Sequence, residues 1–141
     1  EYLRKKIGVI DRKSDVYLAS FGGIRGIVDE VLFLDDDTAA PLDYKFAEYK
    51  NKLFKTYRFQ LIFYARLIKD NFQVPVKKGF IIYTRSKNKL VEVPLKDKDF
   101  IELESAALIA AIEIYAKGLF SILSVIQRWK KYWHGIFTAN F

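Results

Sequence analysis

The sequence contains no cysteine and no methionine, one histidine, three prolines and seven glycines in 141 residues. Without cysteine there are no disulfides, no thiolate metal sites and no Cys-His nucleophile within the chain. So little proline and glycine, set against 51% hydrophobic and 16% aromatic residues, excludes a disordered or low-complexity polymer. No G-x-x-x-x-G-K-[ST] loop occurs, so ATP hydrolysis through that motif is not encoded. No charged-then-apolar leader opens the sequence, which sets the expectation of a cytoplasmic protein. The first residue is Glu1 rather than methionine, and further residues upstream are expected.

What is abundant is positive charge: 24 Lys and Arg against 17 Asp and Glu give a net charge of +7. The pI is near 9.5. Such a surface attracts polyanions, either nucleic acid or an anionic membrane, although basic soluble domains share the same balance. The longest apolar stretch, residues 106–127, is interrupted by Glu113, Lys117 and Gly118. A charge at the centre of a bilayer costs about 2.5–3.5 kcal/mol, and Glu113 and Lys117 stand at the i, i+4 spacing of a helix-surface pair. The expectation is a soluble helix broken near Gly118, with no membrane partner.

The length suits one domain of about 100–150 residues. We expect a core over residues 7–96 and a helical C-terminal part over 97–141. Residues 16–20 and 24–34 are rich in β-branched and aromatic residues and read as strands, followed by the turn "DDDT" at 35–38. Residues 39–46 form a third strand, in which Pro41 suggests an edge or a strand start. From Tyr49 to Phe72 the period changes to three or four, predicting a long amphipathic helix. Residues 77–85 and 89–95 predict a hairpin, and a helix follows from Asp97, whose acidic first turn suits the helix dipole. The order ββαββα after the first strand predicts a mixed α/β fold, a sheet backed by helices.

The stretch "PLDYK" at 41–45 puts Asp43 and Lys45 on one face of a strand. If the preceding hairpin has a three-residue loop at 35–37, paired residue numbers sum to 72 and Asp29 faces Asp43. The two carboxylates would then lie about 4.5–5.5 Å apart, with Lys45 on the same face. Adjacent carboxylates repel unless a cation sits between them, and such oxygen ligands suit magnesium or manganese. An edge-strand ion pair would produce the same Asp-x-Lys pattern with no chemistry. On the helix, Gln60 and Tyr64 share a face with Tyr57 and Leu61, and a glutamine in an apolar stripe needs a hydrogen-bond partner.

Gly26 to Asp29 (G-x-x-D), Asp43 to Lys45 (acid-x-K) and Gln60 to Tyr64 (Q-x-x-x-Y) occur in that order. In these three motifs the chain resembles RecB-like nucleases of the PD-(D/E)xK superfamily, specifically the CRISPR-associated exonuclease of the Cas-four type, over about residues 1–95. The resemblance implies a restriction-endonuclease-like core with a mixed central sheet flanked by helices. It implies metal binding by Asp29, Asp43 and the Tyr44 carbonyl, Lys45 as the catalytic lysine, and Gln60 and Tyr64 as supporting residues. The implied cofactor is magnesium or manganese. The implied partners are single-stranded or frayed DNA ends and a CRISPR integrase, and many members form homo-oligomers.

Three departures accompany the resemblance. The acid of acid-x-K is Asp43 rather than the commoner glutamate, and the histidine usual upstream is absent. The four cysteines that hold an iron–sulfur cluster in those nucleases are absent as well, so no cluster is expected.

A nuclease also needs a basic track for phosphate. Lys50, Lys52, Lys55 and Arg58 are the first candidates, with Arg25 and Arg85 second. Tyr57 or Phe59 offer rings for base stacking, although core packing explains them as well. His134, flanked by Trp129 and Trp133, lies far from the acidic residues in sequence.

Overall fold

A computed structural model describes residues 2–20, 23–116 and 130. A short helix, α1 (Tyr2–Lys6), precedes three strands, β1 (Val9–Ala19), β2 (Arg25–Leu34) and β3 (Ala39–Lys45). Helix α2 (Lys55–Phe72), strands β4 (Lys78–Tyr83) and β5 (Lys89–Pro94), and helix α3 (Asp97–Ala116) follow. The sheet has five strands in the order β1-β2-β3-β4-β5, all neighbours antiparallel except the parallel pair β3 and β4. The fold is mixed α/β. The chain divides into two compact units, 1–99 and 100–141, and the sheet with α2 belongs to the first.

The β2–β3 hairpin takes the register that a three-residue loop dictates. Phe33 pairs with Ala39, Leu32 with Ala40, Val31 with Pro41 and Glu30 with Leu42. The Leu34 N–H donates to the Thr38 carbonyl at 2.8 Å, so alternate pairs from there, including Val31 with Pro41, are non-hydrogen-bonded. That is how Pro41 is accommodated. It is buried in the central strand rather than on an edge, at a position where β2 requires no donor and just before the β4 ladder begins at Leu42 with Phe80.

Strand β1 begins seven residues earlier than the apolar pattern suggests. Residues 11–15 are polar because β1 is an edge strand, and exposed Asp11, Arg12, Lys13 and Asp15 blunt that edge. Helix α2 starts at Lys55 rather than Tyr49. Asn51 adopts a left-handed φ of 53°, which keeps residues 46–54 irregular. The helix ends as its sequence suggests: Gln73 is left-handed and its N–H returns to the Lys69 carbonyl at 2.9 Å.

Helix α2 lies on one face of the sheet through Leu61, Ala65, Leu67 and Ile68, all fully buried. Glycine at position 26 permits this approach, since a Cβ there would stand 3.2 Å from Leu67 Cδ1 and 3.3 Å from Phe63 Cε1. The opposite face carries Leu32, Leu34, Ala40, Leu42, Phe80 and Ile82 as one buried cluster. At the start of α3, Asp99 accepts the Lys96 N–H at 2.8 Å and an Arg58 bond at 2.8 Å. Burial pushes the Asp99 carboxyl up, but these two donors outweigh it and its pKa lies below the ordinary value. Among the described residues no helix is long and apolar enough to cross a membrane. The expected break near Gly118, the Glu113–Lys117 pair, His134, Trp129 and Trp133 fall on or depend on residues outside those described.

Candidate active site

Regular β2–β3 pairing stops at Glu30 with Leu42, one step before Asp29 and Asp43. Beyond it the Tyr44 N–H donates to Asp29 Oδ2 at 2.9 Å, so a carboxylate takes over where the ladder ends. Continued, the register would make Asp29 and Asp43 the next pair, of the non-hydrogen-bonded kind, but the ladder ends before them. Asp29 is nonetheless close enough to Asp43 to raise the pKa of its carboxyl.

Lys45 lies on the same face. Its Nζ is 2.7 Å from Asp43 Oδ2, donates to Gln60 Oε1, and stands 4.6 Å from the centroid of the Tyr57 ring. Gln60 Nε2 in turn donates to Tyr64 Oη at 2.8 Å, so both ends of the amide are fixed. The sequence-derived residues Asp29, Asp43, Lys45, Gln60 and Tyr64 therefore meet in one chain of contacts. They are delivered by β2, by the end of β3 and by one face of α2.

Asp43 is 3% exposed. Its Oδ2 has the lysine as an ion partner but no donor in hydrogen-bond alignment, which leaves a buried, unsatisfied carboxylate oxygen. Burial raises the Asp43 pKa above its ordinary value; Lys45 opposes the shift and Asp29 adds to it. The folded protein without a cation thus holds this proton more tightly than the unfolded chain does. Asp43 contributes most to stability at low pH, and that contribution is lost as pH rises from the ordinary carboxylate range through the raised pKa. Denaturation of wild type and Asp43→Asn at stepped pH checks this. The wild type should lose stability relative to the variant as pH rises, and a flat difference would contradict the raised pKa.

A buried carboxylate oxygen beside a second carboxylate suits a hard divalent cation that keeps several waters, the usual manner of magnesium, once the Lys45 ammonium 2.7 Å from it gives way. Among the described residues no group of three or more His, Cys, Asp or Glu side chains forms a fuller cage. Tyr44 contributes its N–H to Asp29. Its phenol is pushed above the ordinary pKa by burial and by Glu30.

The proposed DNA-facing cations divide into different settings. Lys50 and Lys52 are exposed on the irregular segment, Lys55 is exposed at the start of α2, and Arg25 is exposed at the start of β2. Arg58 is engaged elsewhere, with Asp99 at 2.8 Å and the Pro94 carbonyl at 3.2 Å.

Two features are not legible in the sequence. Glu30, 4% exposed, accepts Arg4 and Arg12, each at 2.7 Å, and ties α1 and the edge strand to β2. Its position next to Asp29 puts it on the other face of the strand, but nothing in the sequence names its partners. Tyr83, cross-strand neighbour of Lys45, has a buried hydroxyl without a hydrogen-bond partner. Burial raises its pKa.

No protein-family model matches the chain, and no curated protein matches it. Among solved structures the chain is similar to the crystal structure of SSO0001, with 16% identity and a TM-score of 0.42. The match covers 77% of this chain and 53% of that one, so the chain spans about half the length of that protein.

Proposed function

We propose that the chain is a metal-dependent DNA nuclease of RecB-like, restriction-endonuclease-like fold, and more specifically an exonuclease acting on single-stranded or frayed ends in CRISPR adaptation or in recombination and repair. The observation that carries this reading is the convergence of Asp29, Asp43, Lys45 and Gln60 where β2 and β3 part, with the buried Asp43 carboxylate between a second carboxylate and an ammonium. Three ordered sequence motifs supply these residues, which supports the reading independently of the geometry.

Asp29 and Asp43, with the Tyr44 carbonyl, would hold magnesium or manganese. Such an ion, when bound, neutralises charge on a phosphate oxygen and lowers the pKa of a coordinated water. Lys45 presents its ammonium where the phosphoryl oxygens gain charge as the P–O bond to the leaving sugar oxygen breaks, and it aligns the attacking water. Gln60 holds that ammonium through its amide oxygen, and Tyr64 fixes the amide. The Tyr57 ring, 4.6 Å from Nζ, adds a cation–π contact that helps hold the ammonium in place.

The 2.7 Å contact of Lys45 with Asp43 also supports a second reading, in which a closed ion pair leaves a nuclease fold that binds DNA or an integrase without cutting. Incubation of end-labelled single-stranded DNA with manganese, magnesium or chelator separates the two. Cleavage with either ion and none with chelator is expected. Intact DNA in every lane, from folded protein that still binds it, would establish the second reading.

A further inference from the structure

Phe46 follows Lys45 directly and is 86% exposed, an unusual setting for a phenylalanine. Its backbone is held on both sides. Beyond the parallel pair of Lys45 with Tyr83, Thr84 Oγ1 donates to the Lys45 carbonyl at 3.2 Å and the Arg85 N–H to the Ala47 carbonyl at 3.2 Å. These bonds carry the β3–β4 pairing past the ends of both strands. They set the Arg85 guanidinium 5.6 Å from the centroid of the Phe46 ring. The acid partner of Arg85 is remote, with Glu48 Oε1 at 3.9 Å and both side chains more than half exposed.

The arrangement recurs along the same segment. Lys89 Nζ lies 5.3 Å from the Tyr49 ring, and Lys52 Nζ lies 5.8 Å from the Phe54 ring. Residues 46–54, the β4–β5 connection and the first residue of β5 therefore interleave rings with cations. An aromatic face binds an unpaired base whatever its identity, and the cations meet its phosphates, which is the pattern of single-strand recognition. Duplex DNA offers phosphates but no free base faces, so exposed rings would gain nothing from it.

We propose that Phe46, backed by Arg85, is a stacking subsite for an unpaired base of a single strand. That the strand so held is the one the protein cuts rests on the nuclease reading; the affinity of Phe46 for a base does not. The subsite takes a base of any sequence in a single strand and has no use for a paired one.

The test is anisotropy titration of the intact chain, in chelator so that nothing is cut, with labelled oligo(dT) and with an abasic oligomer of the same length. Wild type should bind oligo(dT) more tightly than the abasic strand. Phe46→Ala should weaken oligo(dT) binding by about 5- to 150-fold, the value of one stacked base, and leave abasic binding unchanged. Phe46→Trp should restore it. Because the ring is exposed, none of these changes touches the core. Equal binding by Phe46→Ala and wild type, or equal loss on both strands, would overturn the subsite while leaving the nuclease reading intact. Base-dependent binding that requires Phe46, in a protein that cuts nothing with manganese, would sustain the subsite and remove the nuclease reading. Absence of any DNA binding by wild type would overturn both.

Discussion

Asp43→Asn and Lys45→Ala should each abolish measurable degradation of end-labelled DNA, but for different reasons that binding of the metal separates. On the nuclease reading, loss of Lys45 removes the charge proposed to meet the transition state, an effect of about 10²–10³-fold in rate at comparable sites. Loss of the Asp43 charge removes a proposed ligand, and even residues that only support ligands cost about 10- to 100-fold.

Metal at about a hundred times its Kd stabilises a folded protein by about 2.7 kcal/mol. Wild type and Lys45→Ala should show that rise in thermal midpoint with manganese, whereas Asp43→Asn should not. In Lys45→Ala the carboxylate also loses the cation that opposes the shift, so the metal-free form should prefer a protonated Asp43 more strongly than wild type. If Asp43→Asn retains both cleavage and the manganese-induced shift, the carboxylates are an ion-pair device of the sheet and not a metal site.

Leu61→Ala should be the most damaging single substitution near the site that touches none of its polar groups. Leu61 is fully buried between Gln60 and Ile62 in sequence, and its methyl groups reach the backbone of Gly79 on β4. A Cβ at Gly79 would come within 3.2 Å of Leu61 Cδ2 and of Pro41 Cγ, which shows how closely helix and sheet are packed. Deleting a buried leucine side chain costs about 2–5 kcal/mol, and the upper half applies where the surroundings cannot collapse. For a unit of about 100 residues each kcal/mol corresponds to about 4–8 °C in Tm, so calorimetry should register a fall of at least about 10 °C. A change below about 1 kcal/mol would mean that α2 does not depend on this contact. Because the same turn of α2 carries Gln60, the variant should also lose activity beyond what its folded fraction accounts for.

Local features of the fold and site are legible in the amino-acid sequence. The hairpin register follows from counting: a three-residue turn at 35–37 fixes the sum of paired positions, and four observed pairs obey it. Turn length and backbone geometry are local, so sequence suffices for them. The C-terminal end of α2 and the acidic start of α3 are readable for the same reason, as is the shared face of Gln60 and Tyr64. The first half of β1 is not. Residues 9–15 have no apolar alternation, and they become a strand because β2 offers them a ladder, which is a property of the neighbour. The start of α2 is not legible either, because helical spacing continues back to Tyr49 while a left-handed Asn51 interrupts the backbone.

By itself the sequence determined the types and spacing of the chemical groups, the mixed α/β order of elements and the face on which Asp43 and Lys45 must lie. Only tertiary structure decided that Pro41 sits in the central strand, that Gln60 reaches Lys45, and that Arg58 goes to Asp99 instead of facing solvent. The same holds for the placing of Arg85 over Phe46. The physical reason is distance along the chain. Periodicity and turn length act over a few residues, whereas Lys45 with Gln60, Arg58 with Asp99 and Phe46 with Arg85 are brought together by strand order and by the packing of α2. Those are set by the burial of the whole apolar surface and not by any segment of it.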